Sequence, residues 1–89
     1  MTYTVIWSPP ADARLAELWL AGADRAEITR ASHEIDSALR GDPYGAGESR
    51  GGGNRIILRP PLGVFYYVNE SDRQVVVWAV WHCRKGPPA

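Results

Sequence analysis

From Gln74 to His82 the chain stays apolar on both residue parities, Val75, Val77, Ala79 and Trp81 on one and Val76, Trp78 and Val80 on the other. A strand carries apolar residues on both sides when both faces are covered, so this run predicts a central strand, with Gln74, Val76, Trp78, Val80 and His82 sharing a face. Upstream, Leu62 to Val68 is aromatic and β-branched, and the polar stretch Asn69 to Arg73 suits the turn of a hairpin joining the two runs.

The first half of the chain has to cover or extend this hairpin. Tyr3 to Trp7 predicts a short strand with Tyr3, Val5 and Trp7 on one face. Ser8, Pro9 and Pro10 end it, because proline gives no N–H to a ladder and suits the first turn of a helix. The period then becomes helical, placing Ala11, Leu15, Leu18 and Trp19 on one stripe that Gly22 terminates. Asp24 and Glu27 have the spacing of a capping box at the head of a second helix. In it Ile28, Ala31, Ile35, Ala38 and Leu39 recur, and Arg30 stands one turn before Glu34. Gly41, Asp42 and Pro43 stop this helix. Residues 44–53 hold five glycines and predict a mobile loop. Asn54 to Arg59 alternates, Ile56 and Leu58 against Arg55, Ile57 and Arg59, with the arginines expected to point away from the helices. Pro60 and Pro61 break the ladder, which suits an edge strand.

These elements predict a two-layer α+β fold of order β-α-α-β-β-β, a helix hairpin packed on one face of an antiparallel sheet, with the first strand beside the last. The 89 residues suit one domain spanning 1–89, with residues 86–89 as a flexible tail. No apolar run reaches the roughly 18 residues a membrane helix needs, and no basic stretch followed by an apolar one resembles a signal peptide. The expected location is cytoplasmic, and the lone Cys83 fits a reducing compartment. The net charge of zero conceals an acidic first half, −3 over residues 1–44, and a basic second half, +3 over residues 45–89.

In this order of elements the chain resembles the RelE/ParE superfamily of bacterial type II toxins. The likeness is carried by Val5 to Ser8 ahead of Ala11, by Leu15, Leu18 and Trp19, by Ile35, Ala38 and Leu39 before Asp42 and Pro43, by the glycine-rich approach to Asn54 and Arg55, by Pro61 to Tyr66, and by Val75 to Val80. It implies a small toxin neutralised by a cognate antitoxin, acting as a ribosome-dependent mRNA endonuclease or, in the ParE branch, on DNA gyrase. The chain departs from the nuclease pattern at Gly63, where a basic residue usually precedes the Val64, Phe65, Tyr66 run, and no tyrosine follows Lys85.

RNA cleavage through the 2′-hydroxyl needs a base, an acid and cations for the charge that builds on phosphate. The candidate catalytic set is His82, Lys85, Arg55 and Arg59, His82 transferring protons and the three cations holding one phosphate. An exposed Tyr67 or Trp81 would offer a base-stacking surface. His33 reads as a solvated helix residue, and His33, His82 and Cys83 are too scattered for zinc. The glycines have no Lys-Ser/Thr after them, which excludes a phosphate-cradling loop of that type. No cofactor or metal is expected. The alternative is a protein without chemistry of its own, a ParE-like gyrase inhibitor or an attenuated toxin acting through protein contacts.

Overall fold

Ser8 separates strand from helix. It ends β1 (Thr4–Trp7) and caps α1 (Pro9–Ala21), its Oγ accepting from the Ala11 N–H at 3.3 Å, while Pro9 and Pro10 occupy the first turn, where N–H groups lack intrahelical partners. These elements come from a computed structural model that describes residues 2–87. Of the expected tail, positions 88 and 89 lie outside the described residues. The C-terminal carbonyls of α1 are capped from the next helix, α2 (Arg25–Gly41): Arg25 donates to the carbonyls of Trp19 and Leu20, each at 3.0 Å. Its guanidinium also lies over the Trp19 ring, 4.6 Å from the centroid. Trp19 therefore does not join the buried stripe. It is 40% exposed, and its Nε1 donates to Thr29 Oγ1 at 3.1 Å. In α2 the expected stripe is realised with Ile28, Ala31, Ile35 and Leu39 buried and Ala38 partly buried against them.

Residues 44–53 are more ordered than their glycines suggest. Pro43–Ala46 forms one helical turn, α3, capped by Asp42 Oδ1 accepting from the Gly45 N–H at 3.0 Å, and Glu48–Ser49 forms a two-residue strand, β2. Two contacts fasten the segment. The fully buried Tyr66 donates its hydroxyl to the Pro43 carbonyl at 2.6 Å, and Arg55 donates to the carbonyls of Tyr44 and Gly47 at 2.7 and 3.1 Å. Gly51, Gly52 and Gly53, at φ 84°, 60° and 82°, make the left-handed turn from β2 into β3 (Arg55–Arg59).

β4 (Leu62–Asn69) and β5 (Gln74–His82) complete a five-stranded sheet of order β1-β5-β4-β3-β2. β5 thus has a neighbour on each side, as expected of an interior strand, but the expected cover on both of its faces is corrected: the helices lie on one face only, and Trp78 on the other is 39% exposed. The sheet is not wholly antiparallel, because β1 pairs with β5 in parallel, Thr4 opposite Gln74 and Trp7 opposite Val77. β3 is not an edge along its whole length either, since β2 pairs with Arg55 and Ile56.

Both helices lie on one face, so the fold is a two-layer α+β structure. The rows that meet the helices are set by register: Val68 opposite Val75, Tyr66 opposite Val77, Val64 opposite Val80, Leu62 opposite His82. Between Phe65 and Tyr66 the register slips, leaving Trp78 as an extra residue. The expected shared face of Gln74, Val76, Trp78, Val80 and His82 is thereby corrected. The bulge exchanges parities, so Val75, Val77, Val80 and His82 face the helices, while Val76, Trp78 and Trp81 face away. β3 is corrected in the same sense. Ile57, 2% exposed and opposite Val64, belongs to the helix side, so Arg55 and Arg59 lie on that side with it, and Ile56 and Leu58 face away.

Ile35 is fully buried where α2 meets the sheet. Truncating it in the variant Ile35→Ala removes buried carbons and leaves a cavity, which should cost about 2–5 kcal/mol. Urea unfolding monitored by tryptophan fluorescence measures this as a lower midpoint at unchanged slope.

Candidate functional site

With the helices on one side, the other face of the sheet is uncovered. Its strand positions are Thr4 and Ile6 from β1, Gln74, Val76, Trp78, Ala79 and Trp81 from β5, and Gly63, Phe65, Tyr67 and Asn69 from β4. Ile56 and Leu58 from β3 and Glu48 from β2 complete it. Among these described strand positions there is no lysine, arginine or histidine. Beside the polar Thr4, Gln74, Asn69 and Glu48 the surface is aromatic and aliphatic, and Ile6, Leu58, Tyr67 and Trp78 are each more than a third exposed. Phe65 stacks on Trp78 at 5.1 Å between centroids and meets Trp81 at 4.8 Å in a tilted contact. Trp81 is 5% exposed, because its indole lies on Gly63. A Cβ at position 63 would come within 2.6 Å of the indole and 2.7 Å of Leu58. The place of the missing basic side chain is therefore filled by tryptophan. Of the two stacking candidates Tyr67 is accessible and Trp81 is not, while Trp78 is exposed beside it.

His82 ends β5 on the opposite, helix-bearing side. It lines a cleft of about 250 Å³ walled by Leu18, Ala21, Gly22 and Ala23 and bordered by Asp24, Arg84 and Lys85. Its Nε2 lies 3.1 Å from Asp24 Oδ2, and its Nδ1 accepts the Arg84 backbone N–H at 3.2 Å. The His82 hydrogen bond pulls the Asp24 carboxyl below its ordinary value of 3.8. An ionised carboxylate only accepts, so Nε2 carries the ring proton and donates it to Asp24. Both ring nitrogens are thus engaged within the chain, and neither is open to a substrate proton in this arrangement.

The structure brings His82 and Lys85 to one cleft but leaves both arginines outside it. Arg59 lies in the same cross-strand row as His82, with fully buried Leu62 between them, about 10 Å away by strand spacing. Arg55 is four residues further along β3, about 13 Å, and its guanidinium is committed to the Tyr44 and Gly47 carbonyls. The four residues do not converge on one phosphate.

Two groupings were not visible in the sequence reading. Asp24 was expected to cap α2, yet its side chain makes no capping bond and turns to His82, 58 positions away. At the other end of the sheet Glu70 accepts from Tyr44, Tyr3 and Arg73 at 2.7, 3.0 and 2.6 Å. Arg73 also lies over the Tyr3 ring at 3.9 Å, with its backbone at φ 51°. These three donors hold Glu70 below its ordinary value of 4.5. Tyr44 is raised above 10.0, first by its bond to Glu70. Tyr3 is raised above the same value, first by desolvation and then by its bond to Glu70. No local sequence signal marks this network, because Tyr3 and Tyr44 lie 67 and 26 positions from Glu70.

No protein-family model matches the chain, and no curated protein matches it. Solved structures do. A chain of the toxin–antitoxin complex RelBE2 from Mycobacterium tuberculosis is similar at 23% identity and TM-score 0.75, covering 92% of this chain and 99% of that one. A mutant of the Escherichia coli toxin RelE in the free state is similar at 19% identity and TM-score 0.72, covering 97% and 88%. A chain of the chromosomal ParDE toxin–antitoxin system of Pseudomonas aeruginosa is similar at 16% identity and TM-score 0.68, covering 90% and 95%. The chain has the RelE/ParE fold.

Gly63→Ala, which drives a methyl into the Trp81 indole and Leu58, should destabilise the protein by about 1–3 kcal/mol and alter its near-ultraviolet circular dichroism. The pH dependence has two limbs. Asp24 and Glu70 are depressed in the folded protein, so their stabilisation is complete above their ordinary values of 3.8 and 4.5 and is lost as pH falls through the lower folded values. Tyr3 and Tyr44 are raised, so their stabilisation is complete below 10.0 and is lost as pH rises through the higher folded values. Denaturant midpoints measured across pH should fall at both extremes, and Glu70→Gln should flatten both limbs.

Proposed function

We propose that this chain, which has the RelE/ParE fold, is the toxin component of a bacterial type II toxin–antitoxin system and acts by contact with a macromolecular target rather than by cutting RNA. The observation that carries this reading is the uncovered sheet face, where the strand positions hold aromatic and aliphatic side chains and no cation, and where Trp81 fills the space above Gly63. A phosphate finds no cation among these strand positions, Arg50 and Arg59 standing only at the β2–β3 border, whereas exposed Trp78 and Tyr67 are the kind of residue that dominates protein interfaces. The target in this reading is a protein such as DNA gyrase, and the neutralising partner is a cognate antitoxin. Two apolar surfaces are available to that partner: the sheet face, and a groove of about 420 Å³ between α1 and α2 lined by Leu15, Trp19, Leu20 and Ile28. The solved relatives that come from toxin–antitoxin complexes support such an assembly.

A second reading, a ribosome-dependent mRNA endonuclease, draws on the His82, Arg84 and Lys85 edge of the cleft, where the two cations form no ion pair among the described residues. In that reading His82 and Lys85 act at the scissile phosphate, and Arg55 and Arg59 contribute from β3.

Expression in a bacterial host separates the two. Under the contact reading, growth arrest accompanies blocked gyrase supercoiling, and His82→Gln stays toxic. Trp78→Ala should lose toxicity and weaken target binding by about 2 kcal/mol or more, roughly 30-fold. Cleavage of mRNA at ribosome-paused codons, reduced about 10²–10⁴-fold by His82→Gln, would replace the contact reading with the nuclease one.

A further inference from the structure

The residue that ends β5 is bonded through both ring nitrogens to two different parts of the fold. His82 Nε2 meets Asp24 Oδ2 at the α1–α2 junction, 3.1 Å away, and Nδ1 takes the backbone N–H of Arg84 at 3.2 Å. The turn beyond the strand is further closed by Lys85 and Gly86 N–H groups on the His82 carbonyl at 2.9 and 3.2 Å, and by the Cys83 N–H on the Pro61 carbonyl at 2.7 Å. The Arg84 bond is the only one of these that ends on a titratable atom.

We propose that His82 is a pH-operated latch on the basic turn Cys83–Lys85: the neutral Nε2–H imidazole holds the Arg84 amide, and protonation at Nδ1 releases that amide. A neutral imidazole offers one donor and one acceptor, and both are used here with matching partners. Adding a proton at Nδ1 sets donor against donor. The Arg84 N–H loses its acceptor, while the Nε2 contact with Asp24 becomes an ion pair. The ring therefore stays anchored to the helices as the Arg84 amide comes free, while the Cys83, Lys85 and Gly86 backbone bonds stay in place.

The charged groups around the ring are Asp24 from the helix junction and Arg84 and Lys85 from the turn. Leu62 on β4 and Leu18, Ala21, Gly22 and Ala23 add no charge. Arg59 lies beyond Leu62, and Arg30, which reaches the Pro60 carbonyl, is paired with Glu27 and Glu34. Asp24 sets a negative charge against the ring, and Arg84 and Lys85 set positive charges beside it. Release of the latch loosens the Arg84 backbone as the ring adds a third positive charge to the cleft.

Nitrogen-15 spectroscopy of the wild-type protein tests this between about pH 8 and pH 5. The neutral ring should show the Nε2–H tautomer. The Arg84 amide should move upfield and lose exchange protection in one transition that shares the midpoint of the ring, while the Val75 and Val77 amides stay still. In His82→Gln the Arg84 amide should be indifferent to pH. A neutral ring protonated at Nδ1, or an Arg84 amide that does not follow the ring's titration in the wild-type protein, overturns the latch.

Discussion

One extra residue in β5 decides what each side of the sheet can do. Had the strand kept strict alternation, Val75 and Val77 on the helix side would have brought Ala79 and Trp81 with them, and His82 would have faced away. The bulge at Trp78 resets the phase, so Val80 and His82 stay over the helices while Trp78 and Trp81 join Phe65 on the uncovered side. The aromatic surface, the closing of the space above Gly63 and the bonding of His82 to Asp24 all depend on that reset. A charge at any of these places would be on the wrong side without it.

This dependence also explains which parts of the structure were legible in the sequence. The change from a period of two to one near 3.6 located both helices and the strands β1, β3, β4 and β5, and Ser8, Gly22 and Pro43 lie at the boundaries their chemistry suggests. Facing was less legible. Alternation in β3 separates two parities without saying which one meets the helices, and charge is a poor guide when a long side chain can satisfy itself. Arg55 occupies the helix side because its guanidinium spans to two carbonyls of the α3 turn, and Ile57 beside it is the residue that needs burial. The bulge left no local mark, since a run apolar on both parities reads the same with or without an extra residue. The order of residues 44–49 was hidden because its anchors, Tyr66 and Arg55, lie in strands that come later in the chain.

The site was legible in part. The end of β5 was singled out from its residue types, and the structure gathers His82 and Lys85 there. Asp24 escaped because a carboxylate at a helix start has a strong local explanation, and only the three-dimensional path of the chain supplies a better partner. Arg55 and Arg59 do share the helix side with His82, so facing does not separate them. Their common parity was read correctly, but distance along and across the sheet keeps them apart.

The parallel pairing of β1 with β5 gives the fold an asymmetry in time. Thr4 meets Gln74 across a loop of roughly 70 residues, whose closure carries the largest entropic cost of any strand pairing here. The β4–β5 hairpin, closed by a short turn, has no such cost. An edge strand that arrives first in the chain must therefore wait for the central strand before it has anything to pair with. Its own outer edge remains unpaired even then. β1 supplies four of the strand pairings of β5, from Gln74 to Val77. The flank of β5 is therefore the part of the sheet whose cover depends on the longest loop in the chain.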